Sequence, residues 1–302
     1  MIGPHLIRYF EGRIPGPIRA IVRSLSPGDA SRMRDVEIAY GDLSSLQDCA
    51  AFANGLRTIV YLAHTNTPIT SDADLPSDAA LNLIPLLTLI QAIKGSGSRP
   101  HLIYFSSGGA VYGPSPGRVP FRECDACQPV SSYGVQKLAA EHYLRFAALR
   151  GILTATVLRV GNAYGTLLPS QRLQGLIGVA VNNLLHDRPL RIFGNPNNVR
   201  DYVHLDDVAR ICEMAMPPRE TFAVYNVGSG IGHSVREVLQ IVAECLGAQL
   251  PDESPSNLEG SACLPEWVVL DISNARRELN WVPEVDLRTG ILRLIQETRL
   301  AG

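Results

Sequence analysis

The sequence predicts an α/β protein organised around a doubly wound parallel sheet, and two observations support this fold class. Runs of apolar, β-branched or aromatic residues occur at 18–22, 58–62, 101–105 and 154–160. Each run is separated from the next by a stretch with the periodicity of a helix. Strands that alternate with helices in this way are typical of parallel sheets. Such a sheet binds its ligand at the carboxyl ends of its strands.

Composition limits the classes of partner. The chain has 302 residues, of which 46% are hydrophobic and 19% charged, as expected for one large or two modest globular domains. Its 27 Lys and Arg residues are balanced by 29 Asp and Glu residues, so no nucleic-acid partner is expected. The apolar stretch near the N-terminus is interrupted by His5 and Arg8 and is too short to cross a membrane. We therefore expect a cytoplasmic protein with no membrane partner.

Two long amphipathic helices are predicted in the first half of the chain. One covers 79–94 and ends at Gly95, and the other covers 133–150 and ends at Gly151. Side chains that recur on one face of the second helix at three- and four-residue spacings are Leu138, Ala139, His142, Tyr143, Phe146 and Leu149. Helices with such faces often pair with a second copy, so a homodimer is expected.

The second half has a looser pattern that is richer in Pro and Gly, as expected for a smaller lobe. One helix within it is predicted to begin at Ser234, because Glu237 three residues later completes a capping box. Cys124 and Cys127 form a C-x-x-C pair in the first half, but no second pair or nearby His accompanies them. A pair of loop thiols is therefore favoured over a zinc site, and no metal is expected.

Tyr133 and Lys137 are the strongest candidates for catalytic chemistry. Their spacing of four places both side chains on the same face of a helix. A phenol with a reference pKa near 10 is a poor base at neutral pH, but a neighbouring ammonium group favours the phenolate and is expected to lower that pKa. Tyr133 could then exchange a proton with a hydroxyl group.

The context of this pair is an ordered set of strings along the chain. They are Gly41-Asp42-Leu43, Val60-Tyr61-Leu62-Ala63, Phe105-Ser106-Ser107-Gly108-Gly109-Ala110-Val111-Tyr112-Gly113, Leu158-Arg159-Val160-Gly161-Asn162, Arg200-Asp201-Tyr202-Val203-His204 and Tyr225-Asn226-Val227-Gly228. With Tyr133 and Lys137 they resemble the extended short-chain dehydrogenase/reductase family, the NAD-dependent nucleotide-sugar epimerases and dehydratases typified by UDP-glucose 4-epimerase. The resemblance covers nearly the whole chain.

The resemblance implies a Rossmann-type sheet and a role for each matching position. A dinucleotide-binding domain is expected over residues 1–165, with return segments near 200–230, and a substrate-binding lobe mostly over residues 166–302. Cofactor contacts are expected from Gly3, Arg23, Asp42, Leu43, Ala63, Ser106, Tyr133 and Lys137. Tyr133 would be the acid/base, with Lys137 as its electrostatic partner and ribose anchor.

Substrate contacts are implied at Asn162 and Arg200, which match family positions that hold the diphosphate of a nucleotide-sugar. A guanidinium group suits phosphate oxygens in both charge and shape. The alternative for Arg200 is a salt bridge to Asp201 or Asp206.

The N-terminus departs from the family pattern. Family members begin with a strand and a glycine-rich turn that cradles the cofactor pyrophosphate. Here Gly3 matches the last glycine of that turn, and about ten residues of the strand-and-turn unit are missing. Either Met1 is an internal start and the natural protein is longer, or the chain is a relative without the loop. The sheet is expected to lack its first strand and to expose unpaired strand edges.

Two further departures affect the substrate site. Gly108 stands where the family usually has the Ser or Thr that hydrogen-bonds the reacting sugar oxygen, and Ser107 is the nearest hydroxyl that can replace it. Ser107 is therefore predicted as the third catalytic residue, with a water molecule as the alternative. Ser261 falls where relatives often have a diphosphate-binding Arg, so substrate affinity or identity is expected to differ.

The choice of cofactor depends on the residue that follows the first strand. An acidic residue there would bind the ribose hydroxyl of NAD, whereas Arg23 suits the 2′-phosphate of NADP. Because Asp29 and Asp35 are near Arg23 in sequence, NAD remains the expected cofactor and NADP the alternative. The Gly228–Gly232 segment superficially resembles a dinucleotide loop, but it leads into a helix of the second half and lacks the opening strand–helix–strand context, so we interpret it as a turn.

The predicted function is that of an NAD(P)-dependent nucleotide-sugar epimerase that acts through a transient keto-sugar. Dehydration is disfavoured, because Gly109 and Ala110 stand where a dehydratase would have an Asp-Glu pair. A keto-sugar or carbonyl reductase remains open, since the same tyrosine and lysine would serve it. A non-catalytic relative that keeps the fold for binding or dimerisation also remains open. The sequence does not identify the sugar or the nucleotide.

Overall fold

The strands of the protein form four sheets in a computed structural model that describes residues 2–24, 36–115, 117–168, 175–250, 254–256 and 265–301. The described strands, in chain order, are β1 (Ile18–Val22), β2 (Val36–Tyr40), β3 (Thr58–Tyr61), β4 (His101–Ser107), β5 (Thr154–Val160), β6 (Asn162–Tyr164), β7 (Arg191–Phe193), β8 (Val199–His204), β9 (Phe222–Val227), β10 (Gly232–Ser234), β11 (Ser254–Ser256) and β12 (Trp267–Val268).

Helices connect most of these strands. The described helices are α1 (Ile2–Phe10), α2 (Leu46–Ala53), α3 (Leu75–Asn82), α4 (Ile84–Ser96), α5 (Gly108–Val111), α6 (Ser132–Leu149), α7 (Leu176–Leu185), α8 (Leu205–Met214), α9 (Val235–Leu246), α10 (Ser273–Leu279) and α11 (Leu287–Ala301). A 3₁₀ turn at Ser71–Ala73 precedes α3.

The parallel α/β sheet predicted from the sequence is confirmed. It has the strand order β3–β4–β5–β9, and all neighbours are parallel. The four predicted strands are all present: two have the predicted bounds, β3 ends one residue earlier at Tyr61, and β4 continues to Ser107. Strand β9 joins this sheet from the expected return segment. Its addition places the carboxyl ends of four parallel strands along one edge.

A second parallel pair, β1 with β2, forms a separate sheet. Among the described residues no strand hydrogen-bonds to both this pair and β3. Helix α1 packs on α8, and its Leu6 and Phe10 are buried in a core shared with β4 and β5. Burial of these two side chains anchors the start of the chain to the main sheet.

The second half of the chain is organised around β8. This strand pairs with β10 on one side and β12 on the other, and it also pairs with β6. A separate apolar cluster joins α7, α9 and α11 around side chains such as Val181, Val242 and Ile291. The capping box at Ser234 and Glu237 is confirmed at the start of α9. The division of the chain at residue 165 stays a prediction.

The predicted helix 79–94 is wrong in one respect, since the structure has two helices there with a break at Leu83. Pro85 supplies the physical reason, because it has no N–H to donate to the preceding turn. By length and composition the stretch Leu75–Ser96 could cross a membrane, and one third of it is buried. Leu86, Leu89 and Ile93 are completely buried against the parallel sheet, as in the core helix of a globular protein.

Candidate active site

A cavity of about 570 Å³ opens at the carboxyl ends of the parallel strands. Ser107 from the end of β4 and Asn162 from β6 line it beside Tyr133 and Lys137. Arg200 from β8 lines it from the second half of the chain. The structure therefore brings the residues predicted for catalysis and for substrate binding to one cavity, at the place where parallel sheets bind ligands.

The start of α6 fixes Tyr133 and Lys137. Ser131 caps the helix by accepting a hydrogen bond from the N–H of Gly134. One turn into the helix, the Nζ atom of Lys137 donates to the carbonyl oxygen of Phe105 over 2.8 Å, and it lies 5.6 Å from the centroid of the Tyr133 ring. The Ser107 hydroxyl lies close enough to the Tyr133 phenol to lower its pKa. A serine, a tyrosine and a lysine thus meet at the cavity wall.

Electrostatics at this group differ from the prediction. Burial raises the pKa of Tyr133 to about 12, and the nearby Ser107 hydroxyl offsets this rise only in part. Burial also lowers the pKa of Lys137 to about 7, although the nearby Glu141 carboxylate raises it. The expected lowering of the tyrosine pKa by Lys137 is therefore wrong for the unliganded protein. Desolvation is stronger here than the attraction between ammonium and phenolate.

A buried ion pair between Glu141 and Arg159 lies one helical turn from Lys137. Glu141, one helical turn beyond Lys137, binds the guanidinium group of Arg159 on β5, with a shortest N–O distance of 2.7 Å. Both residues are almost fully buried, at 4% and 6% exposure. Ser106 donates its hydroxyl proton to the same carboxylate over 2.5 Å. Ser106 lines the cavity, but its hydroxyl is already hydrogen-bonded to Glu141.

Gly108 occupies a position where a side chain does not fit. A Cβ atom there would lie 2.6 Å from Cδ1 of Leu270 and 3.1 Å from the carbonyl oxygen of Arg159. Leu270 therefore occupies the space that the side chain of a Ser or Thr at position 108 would need. Ser107 is the hydroxyl that reaches Tyr133.

The cavity wall also carries a cation, Arg200, that has no acidic partner among the described residues. Arg200 donates to the carbonyl oxygen of Val199 and forms no ion pair with Asp201 or Asp206, so the predicted alternative of a salt bridge is wrong. Burial lowers the pKa of its guanidinium. Asn162 also lines the cavity, and its strand β6 pairs with β8 so that Asn162 lies opposite Tyr202. A group with negative charge would complete this wall of the cavity.

The Asp201 carboxylate binds backbone and hydroxyl donors instead of Arg200. This buried carboxylate accepts hydrogen bonds from the N–H groups of Ser229, Gly230 and Leu270 and from the Ser229 hydroxyl. Gly230 has φ of 75°, in the left-handed region that favours glycine. The predicted turn at Gly228–Gly230 is confirmed.

The residues predicted for the adenine side lie at strand ends. Arg23 follows β1, Asp42 comes soon after β2, and both residues are exposed. The Asp42 pKa is lowered mainly by a hydrogen bond from the Ser44 N–H, with a further contribution from the charge of Arg23, which places the two side chains near each other. Ala63 lies just beyond the end of β3, and Gly3 lines the main cavity at the start of α1.

Leu43 packs instead at the margin of the apolar core between α2 and the main sheet. Asp29, Asp35 and Ser261 lie outside the described residues. Cys124 and Cys127 are free thiols on the loop before α6.

A buried polar cluster beside the cavity was missed by the sequence analysis. Asp78 on α3 is fully buried and accepts hydrogen bonds from Asn66, Asn82 and Ser132. Nothing in the local pattern signalled it, because an aspartate near a helix start is usually solvated. His64, in the same loop as Asn66, lies against the Tyr133 ring and was also missed. Glu141 was missed as well, although its spacing of four from Lys137 was a visible signal.

Comparisons with known proteins agree on one family. The model of the NAD dependent epimerase/dehydratase family matches residues 1–228. The dTDP-4-dehydro-6-deoxyglucose reductase of Escherichia coli is 30% identical over 252 residues, which are 82% of this chain and 76% of the relative. Two solved UDP-glucose 4-epimerases, from Thermotoga maritima with UDP-glucose and from Thermus thermophilus with NAD, are each 26% identical with a TM-score of 0.89. Each likeness covers all of this chain, and 96% and 97% of those chains respectively.

Proposed function

The chain belongs to the NAD-dependent epimerase/dehydratase family, as an enzyme of the nucleotide-sugar epimerase type, and we propose that it epimerises a nucleotide-sugar through a transient keto-sugar. The observation that carries this proposal is that Tyr133, Ser107 and Lys137 line one cavity together with Arg200. The first group suits proton exchange with a sugar hydroxyl. The guanidinium suits the diphosphate of the same ligand.

In the proposed reaction Tyr133 removes the proton from a sugar hydroxyl and later returns it. Ser107 holds the reacting oxygen in line with the phenol through its own hydroxyl. Lys137 keeps positive charge beside the phenol, and Asn162 assists Arg200 at the diphosphate. The chemistry is redox-neutral overall, because the sugar that is oxidised is reduced again before release.

The chain's residues fit NAD at the nicotinamide and adenine ends. Tyr133 and Lys137 would face its nicotinamide side, Asp42 its adenosine ribose, and the start of α1 at Gly3 its pyrophosphate. When bound, NAD supplies the hydride acceptor and donor. Arg23 is exposed near Asp42 and keeps NADP as the alternative.

A keto-sugar reductase is the second candidate, because the Escherichia coli relative is named as a dTDP-sugar reductase and the same tyrosine and lysine would serve reduction. Cofactor stoichiometry separates the two. An epimerase converts UDP-glucose to its 4-epimer without net consumption of NADH, whereas a reductase consumes one NADH per carbonyl group.

The proposal is tested with purified protein, NAD and UDP-glucose, followed by chromatography of the sugar nucleotides. Tyr133→Phe should lower kcat by about 10²–10⁴-fold, because the acid/base is removed while its ring is kept. Tyr143→Phe is the matched control, since Tyr143 is on the same helix but 45% exposed on the outer face. Equal activity of wild type and Tyr133→Phe would contradict the mechanism. Binding of NAD and UDP-glucose without turnover in any variant would support a non-catalytic relative.

We also propose that the enzyme is a cytoplasmic homodimer. Exposed apolar side chains lie along α6 at Val135, Phe146 and Leu149, and along the α3–α4 segment at Leu81 and Ile84. A patch of this kind is typical of a protein–protein interface. Sedimentation equilibrium should therefore give twice the mass of one chain.

A further inference from the structure

His64 has a buried nitrogen atom without a partner at the wall of the cavity. It follows β3, lines the cavity, and packs edge-on against the Tyr133 ring, with ring centroids 4.7 Å apart and planes at 86°. Its Nε2 atom is shielded from solvent and forms no hydrogen bond with any described residue. A polar atom buried in this way destabilises the fold, so an apolar ring would serve packing alone better. The use of histidine at this position therefore points to a ligand.

The charge state of His64 limits what that ligand can be. Burial and the charge of Lys137 lower its pKa to about 3, against an opposing effect of Asp78, so the imidazole is neutral near pH 7. A neutral imidazole offers no positive charge to a phosphate or carboxylate group. Whether Nε2 carries the proton or not, a hydroxyl group can pair with it, because a hydroxyl both donates and accepts.

The loop that carries His64 is fixed to the helix that carries Tyr133. The Asn82 carboxamide oxygen accepts from the Thr65 N–H over 2.7 Å, and the Asn82 amide nitrogen donates to the Asp78 carboxylate. Ser132, the residue before Tyr133, donates to the other oxygen of that carboxylate over 2.5 Å. Asp78 therefore holds the two rings in a defined relation to each other.

We propose that His64 is a ligand-binding residue whose Nε2 atom hydrogen-bonds a hydroxyl group of the molecule that lies against Tyr133. This inference rests on the proposed function, which supplies two sources of that hydroxyl: the ribose of NAD and the sugar of the nucleotide-sugar. The bond satisfies an atom that no described residue pairs.

Nitrogen NMR of histidine tests the contact directly and does not depend on turnover. The chain has seven histidines, so the ¹⁵N ring signals of a histidine-labelled sample are few, and the signals of His64 are those lost in His64→Gln. NAD and UDP-glucose are added separately, the latter also to the Tyr133→Phe variant loaded with NAD. A shift of the Nε2 signal with NAD alone assigns the bond to the ribose, and a shift only with UDP-glucose assigns it to the sugar. An unchanged signal in the presence of both bound ligands overturns the proposal.

Affinities give the second readout. His64→Phe keeps the packing against Tyr133 but has no nitrogen, and we expect it to weaken binding of the responsible ligand by about five- to tenfold in calorimetry. His64→Gln, which can hydrogen-bond, should recover most of that loss. Without ligand, His64→Phe should unfold at a higher urea concentration than wild type. Full affinity in His64→Phe overturns this inference alone, whereas failure of the wild type to bind either ligand overturns the proposed function and this inference with it.

Discussion

Replacing Glu141 by Gln tests whether the buried ion pair behind Lys137 supports both the fold and the charge of the lysine. The variant keeps the shape of the side chain and removes its negative charge. Arg159 then remains buried at 6% exposure without a counter-charge, and Ser106 loses its ionised acceptor. One substitution therefore perturbs the strand β5, the end of β4 and the catalytic helix together.

The expected loss of stability follows from the geometry. At the N–O distance of 2.7 Å, with an effective dielectric constant of about 20, the attraction between the two charges is about 6 kcal/mol. Breaking a buried pair by removing one partner typically costs about 3–5 kcal/mol, because the remaining charge is left uncompensated. Gln retains one hydrogen-bond acceptor, so we expect a loss of about 3 kcal/mol for Glu141→Gln. Urea unfolding, analysed with the slope m held in common, measures this loss.

A double variant separates the ion pair from simple packing. Glu141→Leu together with Arg159→Met removes both charges and retains apolar volume, so it should be more stable than Glu141→Gln. If Glu141→Gln unfolds within about 0.5 kcal/mol of wild type, the uncompensated-charge argument is refuted.

The lysine provides a second readout of the same substitution. The chain has only two lysines, Lys94 and Lys137, so the side-chain signals of lysine labelled with ¹³C at Cε are assigned by one variant, Lys94→Arg. Titration of the wild type should give a midpoint of about 7 for Lys137. The Glu141 carboxylate raises this pKa, so the midpoint should fall in Glu141→Gln. An unchanged midpoint would show that the carboxylate does not act on the lysine.

Two further predictions concern packing and acid stability. Gly108→Ser should destabilise the fold by about 1–3 kcal/mol, because its Cβ would meet Leu270, and adding Leu270→Ala should restore part of the loss in the same urea assay. Asp206 has a pKa well below its usual range because the rings of His204 and His5 lie within ion-pair distance of its carboxylate. The ionised Asp206 carboxylate therefore stabilises the fold above about pH 4, and this stabilisation is lost as pH falls further. The difference in unfolding free energy between wild type and Asp206→Asn should accordingly shrink from about pH 5 to about pH 3. Asp206 is 44% exposed, so that difference should not exceed about 1 kcal/mol, and a constant difference would contradict the pKa.

The sequence was sufficient for β4 and β5 of the main sheet because their apolar runs are buried on both faces. Parallel strands covered by helices carry this continuous pattern, and β5 shows it from Thr154 to Val160. Strand β8 carried no such signal, since it contains Arg200, Asp201 and His204. Asp201 is buried there only because four donors from distant segments reach its carboxylate. A partner so far away in sequence leaves no local pattern.

In the candidate site, too, contacts that are local in sequence could be predicted and contacts between distant segments could not. Tyr133 and Lys137 are one helical turn apart, so their proximity follows from helix geometry alone. The contact of His64 with Tyr133 depends on how the loop after β3 folds against the start of α6. Asp78 fixes that arrangement through hydrogen bonds to Asn66 and Ser132, which are 12 and 54 residues away in the chain. Spacing rules cannot anticipate contacts of this range.

The pKa values of the site explain why its own residues are not sufficient for proton removal. Burial raises the pKa of Tyr133 to about 12, so the phenol is protonated at neutral pH, and burial lowers the pKa of Lys137 to about 7. The phenol is therefore prepared to donate a proton rather than to accept one. Positive charge brought against the phenol would lower its pKa, as any opposite charge within a few ångströms favours the ionised form. On this reasoning Tyr133 becomes a base only when a cationic ligand group lies beside it, which couples the chemistry of the site to the order in which its ligands bind.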